Sequence, residues 1–342
     1  MKASRVLIDH GSGGLATKEL IEKIFLKRLS NRYLSRLEDS AVLDGKSSGR
    51  IALTTDSYVV DPIFFPGGDI GSLSVHGTIN DLAMQGARPV ALTLGLILEE
   101  GLLMEELEQV ATSIASASLD AGVPVVTADT KVVPCGKADK IFINTSGIGM
   151  VPEGISLGAD RARPGDMVLV SGFIGDHGAA IMTSRANLSF SSGINSDSAP
   201  LHRLVERLLD RCPGNGLRLF RDPTRGGLAT VLNEIAQASR VRIAIEEEAI
   251  PVRAEVISIC ELLGLDPLYL ANEGKLVTVA ARECADQALE AMKETEEGKH
   301  AAIIGEIMEV KKASGPRVTI KTSIGGTRIV SMLAGEPLPR IC

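Results

Sequence analysis

The sequence has no tryptophan and only three tyrosines and seven phenylalanines in 342 residues, so it offers few rings on which nucleic-acid bases could stack. It also lacks a basic excess. Its 36 Lys and Arg stand against 43 Asp and Glu, a net charge of −7, whereas nucleic-acid binders are usually basic. Its five cysteines include no C-x-x-C pair, which argues against a disulfide framework or a zinc site. No apolar run reaches the roughly 18 residues that span a bilayer; the best attempt, Pro89 to Leu98, contains Thr93 and Gly95. The first residues hold one lysine and then only Val6, Leu7 and Ile8, too short for the apolar core of a secretory signal. Together these absences predict a soluble, cytoplasmic protein.

What is present is ordinary globular composition, 44% apolar and 23% charged. The length predicts two domains, since single cores stop growing near roughly 250–300 residues. Val6 to Ile8 reads as a strand, followed by the glycine loop His10-Gly11-Ser12-Gly13-Gly14 and a helix from about Thr17 to Leu34. Strands are predicted at Ile51 to Thr54, Val90 to Leu98, Val123 to Val126 and Ile141 to Met150, the last broken by Gly147 and Gly149. Leu73 to Met84 and the spacing Leu103, Leu107, Val110, Ile114 predict helices. Pro and Gly cluster between Val151 and Pro164, a plausible boundary. A strand at Met167 to Val170 and helices at Ala199 to Cys212 and from Leu228 follow, then strands near Val241, Leu276 and Ala301 to Val310. Ser189 to Pro200 reads as a polar, mobile loop.

Gly11, Gly13 and Ala16 fit the loose dinucleotide pattern G-x-G-x-x-A. The long helix that follows leaves no second strand ending in an acidic residue, so the Rossmann reading fails. A phosphate-gripping loop and a plain turn both remain. Gly45-Lys46-Ser47 looks like the end of a P-loop but lacks its first glycine, since position 40 is Ser. Asp56 and Asp129 are placed at strand ends and Asp81 inside a helix. Such aspartates form turns, or else gather Mg²⁺ and substrate phosphates. Arg221-Asp222-Pro223-Thr224-Arg225-Gly226-Gly227 opens a helix, with Thr224 able to cap it and the N-terminus able to take a phosphate. Lys131 and Glu273 could move protons if their surroundings brought them near neutrality, or could be surface charges. His177 reads as a hydrogen-bonding loop histidine or a catalyst. The last residue, Cys342, closes Pro337-Leu338-Pro339-Arg340-Ile341-Cys342, an extended arm reaching about 23 Å from Gly335.

In this order, the HGSGG loop, Thr55-Asp56-Ser57-Tyr58, Phe65-Pro66-Gly67-Gly68, Gly77-Thr78-Ile79-Asn80-Asp81-Leu82-Ala83, Asp129-Thr130-Lys131, Gly175-Asp176-His177-Gly178, RDPTRGG, Asn272-Glu273-Gly274-Lys275 and terminal PRIC resemble the HypE family of hydrogenase maturation proteins. The resemblance runs from His10 to Cys342. It implies a two-domain fold similar to aminoimidazole ribonucleotide synthetase, α/β and α+β. Residues 1–153 would be an ATP-binding domain whose sheet pairs with a second copy in a homodimer, 154–330 an α+β domain, and 331–342 a flexible tail.

The resemblance further implies that a carbamoyltransferase, HypF, loads a carbamoyl group onto Cys342. ATP and Mg²⁺ then serve its dehydration to a thiocyanate through an iminophosphate. The cyano group passes to an iron-carrying HypC-HypD scaffold. Asp56, Asp81 and Asp129 would hold Mg²⁺. His10, Gly13, Gly14, Asn80, Asp81, Thr130, Arg225, Gly226 and Gly227 would bind ATP, and Lys131 and Glu273 would act as bases beside Cys342. Ala128 and Ser198 depart from the family pattern at positions that carry none of these roles. The rival readings are a small-molecule synthetase or kinase of the same fold, and a non-enzymatic scaffold using Cys342 as a docking thiol.

Overall fold

The computed structural model describes residues 14–20, 22, 37–38, 41–44, 49–185, 193–310, 317–335 and 338–342. The strand expected at Val6 to Ile8, His10, Gly13, Gly45-Lys46-Ser47 and most of the helix expected to run to Leu34 lie outside them. Of that helix, Leu15–Leu20 (α1) is described.

The N-terminal sheet has the order β1-β2-β7-β5-β6, formed by Ala41–Asp44 (β1), Arg50–Tyr58 (β2), Arg88–Glu99 (β5), Val125–Val133 (β6) and Ile141–Val151 (β7). Among the described residues its only parallel pair is β5 with β6, so this half is α+β. Two strands run longer than their apolar runs suggest. Asp56 and Asp129 therefore lie inside β2 and β6 rather than at strand ends. β7 continues through Gly147 and Gly149, because the missing side chain at Gly147 leaves room for Leu82 and Thr78. A short hairpin, Phe64–Phe65 (β3) with Gly68–Asp69 (β4), leads into Ile70–Met84 (α2).

α2 starts where Asp69 accepts hydrogen bonds from the Gly71 and Ser72 amides at 2.7 and 3.0 Å, while Ser72 Oγ accepts from the Asp69 amide. This is a reciprocal cap. Its sequence is small or apolar nearly all round, and twelve of its fifteen residues are buried. A helix of that kind belongs in an interior. It packs against the N-terminal sheet and Met104–Ala121 (α3) on one side, and touches the second domain on the other.

The second domain is a seven-stranded sheet in the order β14-β13-β10-β12-β8-β11-β9. Its strands are Met167–Val170 (β8), Leu217–Arg221 (β9), Arg242–Glu246 (β10), Val277–Ala280 (β11), Ala302–Met308 (β12), Arg317–Lys321 (β13) and Thr327–Val330 (β14). Around it lie Asp176–Arg185 (α4), His202–Arg211 (α5), Gly227–Ala238 (α6), Ala254–Leu263 (α7) and Arg282–Lys293 (α8). Every residue of β11 is buried, as suits a strand deep in a sheet. Among the described residues no helix is long and apolar enough to cross a membrane.

Asn80 on α2 joins the two domains. Its Nδ2 donates to the carbonyls of Ala199 and Glu273 at 3.0 and 3.1 Å, and its Oδ1 accepts from the Leu201 amide at 2.7 Å. The residue is 1% exposed. We expect Asn80→Ala, which leaves these backbone groups unpaired in the interior, to lower the unfolding free energy by about 3 kcal/mol. A fall in the urea midpoint at unchanged slope checks this; an unmoved midpoint would show that the bridge carries no stability.

Candidate functional site

Between the domains lies a cavity of about 210 Å³, lined by Thr55, Asp56, Gly77, Asp81, Asp222, Thr224, Arg225, Glu273 and Cys342. Five separate segments supply these groups: β2, α2, the turn before α6, the turn before β11, and the C-terminal arm. The structure thus gathers Asp56, Asp81, Arg225, Glu273 and Cys342, all anticipated from sequence. Asp222 and Thr224 were not singled out for a cavity, though both sit in the RDPTRGG stretch that was.

The electrostatics are set by burial. Glu273 is 3% exposed, and its Oε1 is buried with no hydrogen-bond partner. Burial, then the carboxylates of Asp222, Asp197 and Asp56, push this carboxyl well above its ordinary range, with Arg225 opposing. The group is therefore poised to hold a proton. Arg225 lies half-exposed at the cavity edge, 3.9 Å from Asp56. Cys342 first, then Asp56, Glu273 and Asp81, hold its guanidinium more firmly charged than usual. Asp81 accepts from Thr54 Oγ1 at 2.7 Å, which fixes its carboxylate.

The arm is seated. The Val59 amide donates to the Cys342 carbonyl at 3.0 Å and the Asp61 amide to the Arg340 carbonyl at 3.2 Å. Leu338 and Ile341 are buried in the apolar cluster that also holds Tyr58 and Ala179. Arg340 donates to the Val59 carbonyl and pairs with Asp139.

Other anticipated residues are placed elsewhere. Asp129, Thr130 and Lys131 are exposed on the edge strand β6. Asp129 and Lys131 pair with each other at 3.2 Å, which holds the Asp129 carboxyl below its usual range. Three strand spacings, about 14 Å, separate β6 from β2. Asp129 therefore cannot share an ion with Asp56 within one chain. Asn80 spends its amide on the interdomain backbone rather than in the cavity.

α6 does begin at Gly227, but Gly226 rather than Thr224 occupies the cap position. Both glycines have positive φ, and a Cβ at Gly227 would lie 2.4 Å from the Leu270 carbonyl oxygen. They serve close packing. Gly14 has a similar duty, since a Cβ there would lie 2.4 Å from the Leu333 carbonyl oxygen, and the neighbouring Leu15 amide donates to that same oxygen at 3.0 Å. Among the described residues no three His, Cys, Asp or Glu side chains converge as a preformed metal cage. Three aspartates lining one cavity still suit Mg²⁺, which takes one or two carboxylates and completes its shell with water and phosphate oxygens.

Residues 37–151 and 163–316 match the N-terminal and C-terminal domains of AIR synthase related proteins. The chain is 53% identical over 338 residues to the carbamoyl dehydratase HypE of Rhizobium leguminosarum bv. viciae, covering 99% of this chain and 95% of that one. A crystal structure of the hydrogenase maturation protein HypE in complex with ATP is 51% identical, with TM-score 0.83 and coverage of 99% and 100%. A HypE–HypF complex is 50% identical, with TM-score 0.86 and coverage of 92% and 99%.

An acid whose folded pKa is raised contributes stability below its unfolded value, here 4.5, and loses that contribution as pH climbs through the folded value. The neutral near-isostere Glu273→Gln escapes that loss. Its melting temperature relative to the parent chain should therefore climb steadily above pH 4.5. A constant difference across pH 5–8 would mean that Glu273 is solvated as an ordinary carboxylate.

Proposed function

The chain belongs to the carbamoyl dehydratase HypE family, and from that premise we propose that it dehydrates a carbamoyl group carried on its own Cys342, using ATP, to supply the cyanide ligands of nickel-iron hydrogenase. The observation that carries the reading is the Cys342 arm seated in a polar cavity with Asp56, Asp81, Asp222, Arg225 and Glu273. A free-substrate synthetase or kinase has no use for a chain segment in that position.

The chemistry assigns these groups tasks. An amide oxygen leaves poorly, so ATP phosphorylates it and gives an iminophosphate with loss of one N–H proton. Loss of the second N–H proton expels phosphate and leaves the thiocyanate. The sum is one carbamoyl group and one ATP to one thiocyanate, ADP, phosphate and a proton. Glu273, buried and near the thiol, exchanges protons with the nitrogen. Arg225 faces the transferring phosphoryl group, and Asp56 and Asp81, with Asp222, would hold Mg²⁺. That ion would neutralise phosphate charge. Gly226 and Gly227 support Arg225 by keeping the start of α6 packed, and His10, Gly13 and Gly14 are assigned to binding the nucleotide. Tethering makes the reaction effectively intramolecular.

A second copy enters through the uncovered face of the N-terminal sheet. Thr55, which lines the cavity, shares that face with Ser57, Asn144, Asp129 and Lys131 by strand register. Leu53 and Ile97 are exposed on it. A homodimer closed over this face gives Lys131 and Asp129 a nucleotide to meet, with Thr130 between them on the opposite face of β6. HypF is the carbamoyl donor, supported by the HypE–HypF complex; HypC-HypD is the acceptor, and the setting is cytoplasmic.

Two measurements test the reading. Full-length protein carbamoylated at Cys342 and given MgATP should lose the mass of one water from its Cys342 peptide, and an unchanged adduct beside normal ATP hydrolysis would sink the proposal. Asp81→Asn should weaken ATP binding about tenfold with Mg²⁺ present and little without it; equal affinity in both conditions would remove Asp81 from the metal.

A further inference from the structure

His177, near the start of α4, is fully buried. Its Nε2 lies 2.8 Å from the carbonyl oxygen of Ile341, and its Nδ1 lies 2.7 Å from Ser196 Oγ. A carbonyl oxygen only accepts, so Nε2 carries the proton and Nδ1 takes the Ser196 hydroxyl proton as acceptor. Burial pushes the imidazole below its ordinary value, which keeps it neutral. Phe65 meets the ring edge-on, with centroids 5.4 Å apart, so the imidazole has little room to turn.

Ser196 is itself fixed. Its amide donates to the Pro66 carbonyl at 2.7 Å, and its hydroxyl oxygen accepts from the Ser198 amide at 3.1 Å. The next residue, Asp197, accepts from the amides of Glu273 and Gly274 and pairs with Lys275 at 3.4 Å. A Cβ at Gly274 would lie 1.7 Å from the Asp197 carbonyl oxygen, so this segment is pressed directly onto the Glu273 turn. One short stretch, 196–198, therefore orients His177 on one side and holds the Glu273 backbone on the other.

We propose that His177, oriented by Ser196, is a positioning residue that holds the Cys342 arm in its cavity and so sets how the arm divides between a seated state and a released one. Its bond is to the residue beside the thiol. Other side-chain contacts of the arm include Arg340 on the Val59 carbonyl and on Asp139, Arg185 on the Arg340 carbonyl, and Arg225 attracted to Cys342; the Asp139 carboxylate is half-exposed, where an ion pair holds weakly. The proposal rests on Cys342 being the carrier, since a thiol loaded by a partner has to leave the cavity and one that reacts there has to return. Release lets a carbamoyl donor reach the sulfur; seating brings it to Glu273.

The test is alkylation of Cys342 by iodoacetamide in the full, unmodified chain without nucleotide, read by mass spectrometry of the peptide, with exposed Cys135 as internal reference. His177→Ala should raise the Cys342 rate roughly tenfold, the cost of one buried hydrogen bond, and leave Cys135 unchanged. His177→Gln, whose side-chain amide can still donate to the Ile341 carbonyl, should return most of the protection. Ser196→Ala leaves the ring in place but unfixed and should raise the rate by a smaller factor. An unchanged Cys342 rate in folded Ser196→Ala and His177→Ala, or equal rates in the Ala and Gln variants of His177, overturns the proposal. No dehydration occurs in this assay, so its outcome is independent of whether the carbamoyl group loses water.

Discussion

The geometry of the cleft is referenced to a single buried amide. Asn80 sits on a helix that is enclosed on all sides, and its three hydrogen bonds end on the backbone of the opposite domain, at Ala199, Leu201 and Glu273. Two of those backbone positions flank the groups that matter most to the cavity. The Glu273 carboxyl follows its own tethered carbonyl, and the Ala199–Leu201 stretch continues directly from Ser196 and Asp197. A polar side chain is expensive to bury unless every one of its groups is paired. Once paired, it allows only one relative placement of the two domains, and a cavity assembled from five distant segments needs that single placement.

The cavity itself is electrostatically lopsided. Asp56, Asp81 and Asp222 face one guanidinium, Arg225, among the described lining residues. A highly charged nucleotide anion approaching such a site alone meets repulsion, and with a divalent cation it does not. The same crowding explains Glu273. Each neighbouring carboxylate adds to the cost of ionising a group that burial already disfavours, so Glu273 is held toward its protonated form beside carboxylates that, in the proposed reading, would hold the cation. In the proposed reading, proton-transfer and metal-holding roles are divided by environment, since the side-chain chemistry is nearly the same.

The sequence made much of this arrangement legible, and the reason for its failures is specific. Helix α2 and the starts of β8 and α6 were readable from apolar spacing and glycine signals, because those are local properties. The pair Asp56 and Asp129 was not. Both follow apolar strand residues and look equivalent along the chain, yet strand order puts three spacings between them. Order within a sheet comes from long-range pairing, which periodicity does not encode. Asn80 read as a ligand contact for a similar reason, because an asparagine beside an aspartate on a helix carries no mark of what it will face. His177, Ser196 and Asp197 lie in two stretches that looked like polar loops. Their importance appears only when the arm and the Glu273 turn are brought against them.

The seat of the arm combines attraction between Cys342 and the Arg225 guanidinium with a set of modest neutral contacts. A carrier that reacts in one place and is loaded in another needs a seat it can leave, so much of its hold is spread over numerous, individually modest contacts. Backbone bonds from Val59 and Asp61, two buried aliphatic side chains and one imidazole meet that description. Each neutral hydrogen bond is worth about 1 kcal/mol net. Tethering compensates for this weakness, because an arm attached to the chain stays at high effective concentration near its site even when released. The observed seat trades residence time for access, and the neutral, serine-fixed imidazole is the contact at which that balance can be adjusted by a single residue.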